Sequence, residues 1–159
     1  MKGKYPDCFP VNIEQLIIED GAGENEFIYY RVCDNEDINR DAFKGTYEVA
    51  LDKIGSVHNR DVYLGDEKTI DIGEYATSGF EKVKDAKNIL KCKKKHHDGP
   101  IIIVGSTIPS CGLSMRTKDS KTRKKKNSHI DWWIYKEAHP EIYFKKYLEI
   151  TGGGKNENP

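Results

Sequence analysis

The sequence predicts an α+β fold: a single compact domain with a small mixed or antiparallel sheet, a few flanking helices and long loops. Two observations support this class. Apolar, strand-like segments occur in both halves of the chain, and the clearest helical segment lies between them, with apolar residues at i, i+3 and i+4 spacing. Gly, Asp and Asn are concentrated between these segments, as is typical of loops.

Chain length and the terminal sequences bound the organisation. The 159 residues fit one domain, which we expect to cover residues 1–150, followed by a disordered Gly-rich tail at 151–159. No run approaches the roughly 18 to 20 apolar residues of a membrane helix, and the N-terminus lacks the apolar core of a signal peptide. We therefore expect a cytoplasmic protein with no membrane partner.

The first half of the chain contains one clear strand, at residues 26–33, which we expect near the centre of the sheet. Residues 12–20 fit a short helix or a strand equally well. Residues 39–44 predict a short helix. The stretch that follows, 45–69, predicts irregular structure with a single strand at 62–64.

The second half opens with a predicted helix at residues 81–92, preceded by a short strand or turn at 75–80. Ser78 stands three residues before Glu81, which is the capping-box spacing, and is predicted to cap this helix. Residues 101–104 are an uninterrupted apolar run, as expected of a strand buried on both faces at the core of the sheet. Two or three strands are predicted in all.

The last third begins with a turn or edge strand at 107–113 and a polar, basic, flexible excursion at 115–127. A strand is predicted at 128–135 and a helix at 140–148. Because side chains alternate along a strand, the two faces of 128–135 differ and both need covering, so at least one tryptophan is expected in the core. One face carries His129, Asp131, Trp133 and Tyr135, and the other carries Ile130, Trp132 and Ile134.

The four cysteines stand at positions 8, 33, 92 and 111, without a Cys-x-x-Cys pair. Structural zinc sites usually contain such pairs, so we expect no metal. In a cytoplasmic protein the thiols stay reduced, and Cys33 and Cys111 are predicted to be small core residues.

The formal net charge of zero hides an asymmetry: residues 1–80 hold 17 acids and 8 bases, whereas residues 81–159 hold 9 acids and 18 bases. Two basic clusters, at residues 91–97 and 121–126, account for much of this asymmetry. Such clusters are typical of contact with polyanions, although they could equally fold back against the acidic half. The candidate nucleic-acid contacts are Lys93, Lys94, Lys95, Arg123, Lys124, Lys125 and Lys126, with Trp133 as a base-stacking residue.

His129 and Asp131 are the candidate catalytic residues. They lie two residues apart on a predicted strand and therefore share a face. A neutral imidazole is the usual general acid or base near pH 7, and a neighbouring carboxylate would orient it. The alternative is structural, with His129 donating to a backbone carbonyl beneath the tryptophans.

Arg31 lies in the predicted central strand among aromatic and branched residues. A guanidinium there needs an anionic partner, which is either a ligand phosphate or an internal carboxylate. Because the first half of the chain is rich in acidic residues, an internal carboxylate and a ligand phosphate both remain possible partners.

Three short patterns resemble the plan of ADP-ribosyltransferase-like domains. They are the first-strand Tyr30-Arg31-Val32, the Thr77-Ser78 pair before the helix, and the apolar strand 101–104. The resemblance implies NAD as a cofactor. It assigns Arg31 to the diphosphate or ribose, Thr77 and Ser78 to the nicotinamide pocket, and Tyr75 to stacking on the ring.

The chain departs from that family at the late strand, where transferases usually carry a glutamate. Here the strand offers His129 and Asp131, and the nearest glutamate is Glu137. An inactive or divergent member fits the resemblance as well as an active one.

Three hypotheses follow, and the sequence leaves open whether the protein is an enzyme. The first is an NAD- or nucleotide-using transferase, which requires Arg31, Ser78 and His129 to share one cleft. The second is a nucleic-acid- or nucleotide-binding module that uses the basic segment 91–126. The third is a bacterial or phage accessory factor whose basic loop docks on an acidic protein partner.

Overall fold

The computed structural model describes residues 3–34, 36–54, 70–94, 99–123, 125 and 127–148. Within them lie three α-helices and six strands. In chain order these are α1 (Ile13–Asp20), β1 (Ile28–Cys33), α2 (Thr46–Ile54), β2 (Thr77–Phe80), α3 (Val83–Lys94), β3 (Ile101–Ser106), β4 (Gly112–Arg116), β5 (His129–Ile134) and β6 (Lys145–Lys146).

The strands form one sheet in the order β4-β5-β2-β1-β3-β6. Every strand pair is antiparallel. The predicted α+β class and the interior position of β1 are therefore confirmed. The register of β2 on β5 places Ser78 opposite Asp131 and Phe80 opposite His129, so these four side chains point to the same face.

That face is covered by a helix at each end. At one end the strand residues Leu113, Met115 and Trp133 pack with Ile13 and Ile17 of α1. At the other end Val32, Phe80 and Ile102 pack with Ala86 of α3. Between the two apolar clusters the sheet presents His129 and Asp131.

The opposite face carries a third, largely aromatic cluster. Tyr29 and Trp132 meet edge to face at 5.2 Å, and Phe43 and Phe144 cover them. Gly79 makes this packing possible, because a Cβ there would overlap the Tyr29 ring.

Several local predictions are wrong, each because tertiary packing decides the segment. The helix predicted at 140–148 is a single 3₁₀ turn, Pro140–Tyr143, followed by β6. Phe144 enters the aromatic core instead, in a space that Gly105 leaves open, since a Cβ there would lie 2.8 Å from the ring. The short strand then pairs with β3.

Ser78 does not cap the helix, because it lies in β2 and α3 begins only at Val83. The start of α3 is instead tied to Ser128, which precedes β5. Ser128 Oγ accepts from Lys82 N at 3.0 Å and donates to Asp85 at 2.6 Å.

Other segments are more regular than predicted. The undecided residues 12–20 contain the helix α1, and the stretch predicted irregular at 45–69 begins with α2. The strand predicted at 62–64 and the tail at 151–159 lie outside the described residues. The excursion predicted at 115–127 starts inside β4 and continues as a 3₁₀ turn, Thr117–Asp119, with Thr117 and Ser120 buried.

Two further findings bear on the sequence predictions. Cys33 and Cys111 are buried, as predicted. Across the residues that the structure describes, no helix has the length and apolarity to cross a membrane.

Both tryptophans of β5 are fully buried, on opposite faces of the sheet. We predict that Trp132→Ala and Trp133→Ala each lower the free energy of unfolding by about 3 to 5 kcal/mol.

The Phe variants of the two tryptophans should differ in stability, because only one indole nitrogen is hydrogen-bonded within the described part of the chain. Trp133 Nε1 donates to Ile72 O at 2.9 Å, whereas Trp132 Nε1 has no partner among the described residues. Trp133→Phe should therefore cost about 1 kcal/mol more than Trp132→Phe in urea denaturation. Equal costs would contradict this assignment.

Candidate functional site

The candidate site lies where the sheet face turns polar, between the clusters under α1 and α3. His129 and Asp131 are both buried there. The chain that follows β4 covers them, since β4 is the neighbour of β5 and ends beside it at Arg116. Residues 117–123 therefore lie over the polar part of the face.

Thr117 joins the histidine to the carboxylate. Its Oγ1 lies 2.6 Å from His129 Nδ1 and donates to Asp131 Oδ2 at 2.8 Å. A hydroxyl has one proton, and Asp131 needs it as an ionised acceptor, so Nδ1 must donate to Thr117 Oγ1. This fixes the tautomer of the neutral imidazole and leaves the lone pair on Nε2.

Arg123 holds Asp131 from the other side. Its guanidinium donates to Asp131 Oδ2 at 2.8 Å and reaches Asp20 Oδ2 at 3.4 Å. Asp20 is the last residue of α1 and also accepts from Ser120 Oγ at 2.5 Å and from Lys121 N at 2.9 Å. Burial alone would raise the pKa of Asp20, but these donors outweigh it and the pKa is lowered.

His129 is neutral at pH 7. Burial is the main cause and lowers its pKa to about 4, against the opposing pull of the Asp131 charge. The cationic Lys125 and Arg123 lower it further.

A cavity of about 340 Å³ opens beside His129, between the start of α3 and the end of β4. We call it the α3 groove. It is lined by Glu81, Lys82, Lys84, Asp85, Arg116, Lys118, Asn127, Ser128 and His129. The imidazole is about nine-tenths buried, and within the described part of the chain no group hydrogen-bonds its Nε2.

Of the two acidic residues of the α3 groove, Glu81 is ion-paired and Asp85 is hydrogen-bonded. Glu81 is bound by both nitrogens of Arg116, at 2.6 and 2.9 Å, and Asp85 accepts from the amide and hydroxyl of Ser128. Lys82, Lys84 and Lys118 form no ion pair with any described residue. The groove therefore has an excess of positive charge.

No family model, curated protein or solved structure matches this chain. The resemblance to ADP-ribosyltransferase-like domains consequently rests on the short patterns alone.

The structure does not gather the candidates for NAD binding. Arg31 and Ser78 are on adjacent strands, as expected, but Arg31 points to the aromatic face and meets only the Ser78 carbonyl. Thr77 is buried and donates to Phe43 O, and Tyr75 packs against Phe9 and Tyr47. The predicted cleft shared by Arg31, Ser78 and His129 is absent from the described part of the chain.

Among the described residues, Arg31 donates to three backbone carbonyls. Nε and the two terminal nitrogens donate to Ala42 O at 2.8 Å, Ser78 O at 2.6 Å and Lys44 O at 3.2 Å. In the described part of the chain, carbonyl oxygens of residues 42–44 and of β2 therefore take the place of the predicted phosphate or carboxylate.

The candidates for nucleic-acid contact are divided between two ends of α3. Lys93 and Lys94 lie in its last turn, where Lys93 pairs with Asp34 at 2.7 Å, whereas Lys125 lies near His129 at its start. Twelve helical residues separate these ends by about 18 Å. Lys95, Lys124 and Lys126 lie outside the described residues.

Two of the proposed contacts are used inside the protein. Trp133 is fully buried and cannot stack on a base, and Arg123 is held by Asp131 and Asp20. Sequence reasoning missed Thr117 and the lysines at 82, 84 and 118. The lysines were visible only as part of the basic excess of residues 81–159, and no sequence signal identifies Thr117.

No group of three or more potential metal ligands is found among the described residues.

Arg31→Lys tests the structural role of Arg31. An ammonium cannot reach three carbonyls in the geometry of a guanidinium, so we predict a loss of about 1 to 3 kcal/mol in the free energy of unfolding. Affinity for any ligand of the α3 groove should not change. Urea denaturation and ligand titration check both parts, and reduced ligand affinity at unchanged stability would contradict the assignment.

The lowered pKa of His129 predicts a pH dependence of stability. Between pH 6.5, where an unfolded histidine titrates, and about pH 4, the unfolded chain binds a proton that the folded chain does not. The free energy of unfolding is therefore unaffected by the titration of His129 above pH 6.5. As the pH falls below 6.5 it decreases, by up to about 3 kcal/mol.

Urea denaturation at pH 7.0, 5.5 and 4.5 measures this loss. In His129→Gln the free energy of unfolding should fall less steeply with decreasing pH than in the parent. His139→Gln, which changes an exposed histidine, should keep the parental pH dependence. Identical slopes in the two variants would show that His129 titrates normally in the folded state.

Proposed function

We propose that this protein binds a phosphate-bearing ligand, of the nucleotide or nucleic-acid class, in the α3 groove. The observation that carries the proposal is the set of three lysines without ion-pair partners among the described residues, Lys82, Lys84 and Lys118, around one cavity. Unpaired cations that converge on a cavity favour an anionic ligand.

The remaining features of the groove favour phosphate. The groove adjoins the first turn of a twelve-residue helix, where the macrodipole favours negative charge. Its volume is at the lower end of the range for small-molecule sites. Neutral His129 contributes a hydrogen-bonding nitrogen without further charge.

NAD is one of the ligands to test. The ADP-ribosyltransferase-like resemblance suggests it, and it carries a diphosphate. Arg31 is excluded from the proposed contacts because its side chain lies on the other face of the sheet. The groove, rather than the first strand, would hold the phosphates.

A pair of triple variants tests the proposal. The groove variant carries Lys82→Gln, Lys84→Gln and Lys118→Gln, and the matched control carries Lys91→Gln, Lys93→Gln and Lys94→Gln, which removes the same charge from the far end of α3. The probes are NAD, ADP-ribose, ATP and a labelled single-stranded oligonucleotide. Binding is measured by thermal shift, since a ligand selective for the folded state raises the Tm, and by fluorescence anisotropy for the oligonucleotide.

We expect at least one probe to bind the parent, the groove variant to bind it at least 10-fold more weakly, and the control to change less than 3-fold. For the oligonucleotide, the salt slope should fall by about 0.7 for each phosphate that the variant no longer neutralises. Equal weakening in the two variants would show that only overall charge matters. If no probe binds the parent, the proposal is wrong and the acidic-partner hypothesis gains support.

A further inference from the structure

His129 lines the α3 groove and also belongs to a buried network of hydrogen-bonded side chains. The network connects Arg123 to Asp131, Asp131 to Thr117 and Thr117 to the imidazole, with donor–acceptor distances of 2.8, 2.8 and 2.6 Å. Since Nδ1 is used inside the protein, Nε2 is the ring nitrogen left for a ligand.

This arrangement is more specific than phosphate binding requires. Lysines alone would neutralise an anion, so phosphate binding by itself does not require an oriented histidine. Here Nδ1 is fixed as a donor to the Thr117 hydroxyl, which in turn donates to Asp131. No described residue bonds Nε2, although His129 lines a basic cavity. A histidine oriented in this way is suited to accept a proton.

We infer that the α3 groove hydrolyses a phosphate ester, with His129 Nε2 as the general base and with Thr117 and Asp131 as positioning residues. The inference rests on the proposed phosphate binding. Thr117 and Asp131 fix the tautomer, and the Asp131 charge stabilises the imidazolium that forms.

The step balances as a hydrolysis. Nε2 takes a proton from a water molecule as its oxygen forms a bond to phosphorus, and the P–O bond to the leaving alcohol breaks. The leaving oxygen takes a proton from solvent, and the imidazolium returns its proton to solvent. The net change is the addition of water across one P–O bond. The ammonium groups of Lys84 and Lys118 would stabilise the charge on the phosphoryl oxygens.

The charge of a bound phosphate makes the base stronger. A nearby anion favours the imidazolium and raises the pKa of His129 from its low value in the free protein. The hydrolysis rate should therefore fall at low pH, where Nε2 is protonated. The charged groups that face the imidazole are Asp131, Arg123 and Lys125 above it and Glu81, Lys82, Lys84, Asp85, Arg116 and Lys118 in the groove.

The test uses the full chain with three probes: bis(4-nitrophenyl) phosphate, ADP-ribose and a short oligoribonucleotide. They separate a simple diester, an RNA diester and a diphosphate, whose P–O–P bond is an anhydride with a phosphate as its leaving group. The variants are His129→Gln, Thr117→Val and Thr117→Ser, with His139→Gln as the control for loss of an exposed histidine. Probe affinity is measured beside turnover for each.

We expect the parent to hydrolyse at least one probe and His129→Gln to lose 100-fold or more in kcat while its affinity changes less than 5-fold. Thr117→Val should lose at least 10-fold and shift the acid limb of the pH–rate profile. Thr117→Ser, which keeps the hydroxyl, should restore both, and the control should match the parent.

Two results would overturn the inference. One is binding of these probes by the parent without turnover of any of them between pH 5 and 9, which would leave the proposed binding function standing. The other is a His129→Gln variant that keeps the parental kcat. If the parent binds none of the probes, the binding function fails and this inference fails with it.

Discussion

The pairing of Asp131 is the constraint on which the described structure around the site depends. This carboxylate is about 1% exposed and lies between two apolar clusters on one face of the sheet, where an unpaired charge would be very unfavourable. Thr117 and Arg123 supply its donors. Both come from the chain after β4, so burial of one side chain on β5 fixes the path of residues 117–123. Arg123 also reaches Asp20, which ties the same segment to the end of α1.

The same pairing accounts for the properties of the groove. With residues 117–123 held over the sheet, Lys118 lines the cavity beside α3, and Thr117 orients the imidazole of His129. Burial beneath this segment keeps the imidazole neutral. The place of Lys118 at the cavity and the orientation of His129 are therefore two consequences of one buried carboxylate.

Sequence reasoning succeeded where a local rule decides the outcome. The two-residue period of a strand placed His129 and Asp131 on one face, and the unbroken apolar run at 101–104 predicted a strand buried on both faces. It failed where a distant contact decides. Phe144 packs in the aromatic core, so the predicted last helix does not form, and Arg31 donates to carbonyls of residues 42–44 and of β2, which are distant in sequence. The spacing of Ser78 and Glu81 fits a capping box, yet strand pairing with β5 takes precedence.

The charge asymmetry of the chain explains why the groove lysines stand apart. Several bases of the second half pair with acids of the first, and two of these bases, Lys93 and Arg123, belong to the basic clusters. These pairs are Arg123 with Asp20, Lys93 with Asp34, Lys136 with Asp7, and Lys146 with Glu36. The Arg123–Asp20 pair is largely buried, whereas the other three lie at the surface, where each contributes little to stability. The groove differs because Arg116 cancels the charge of Glu81, and the one remaining carboxylate, Asp85, is outnumbered by Lys82, Lys84 and Lys118. Positive charge therefore persists at the cavity that His129 lines, although the formal net charge of the protein is zero.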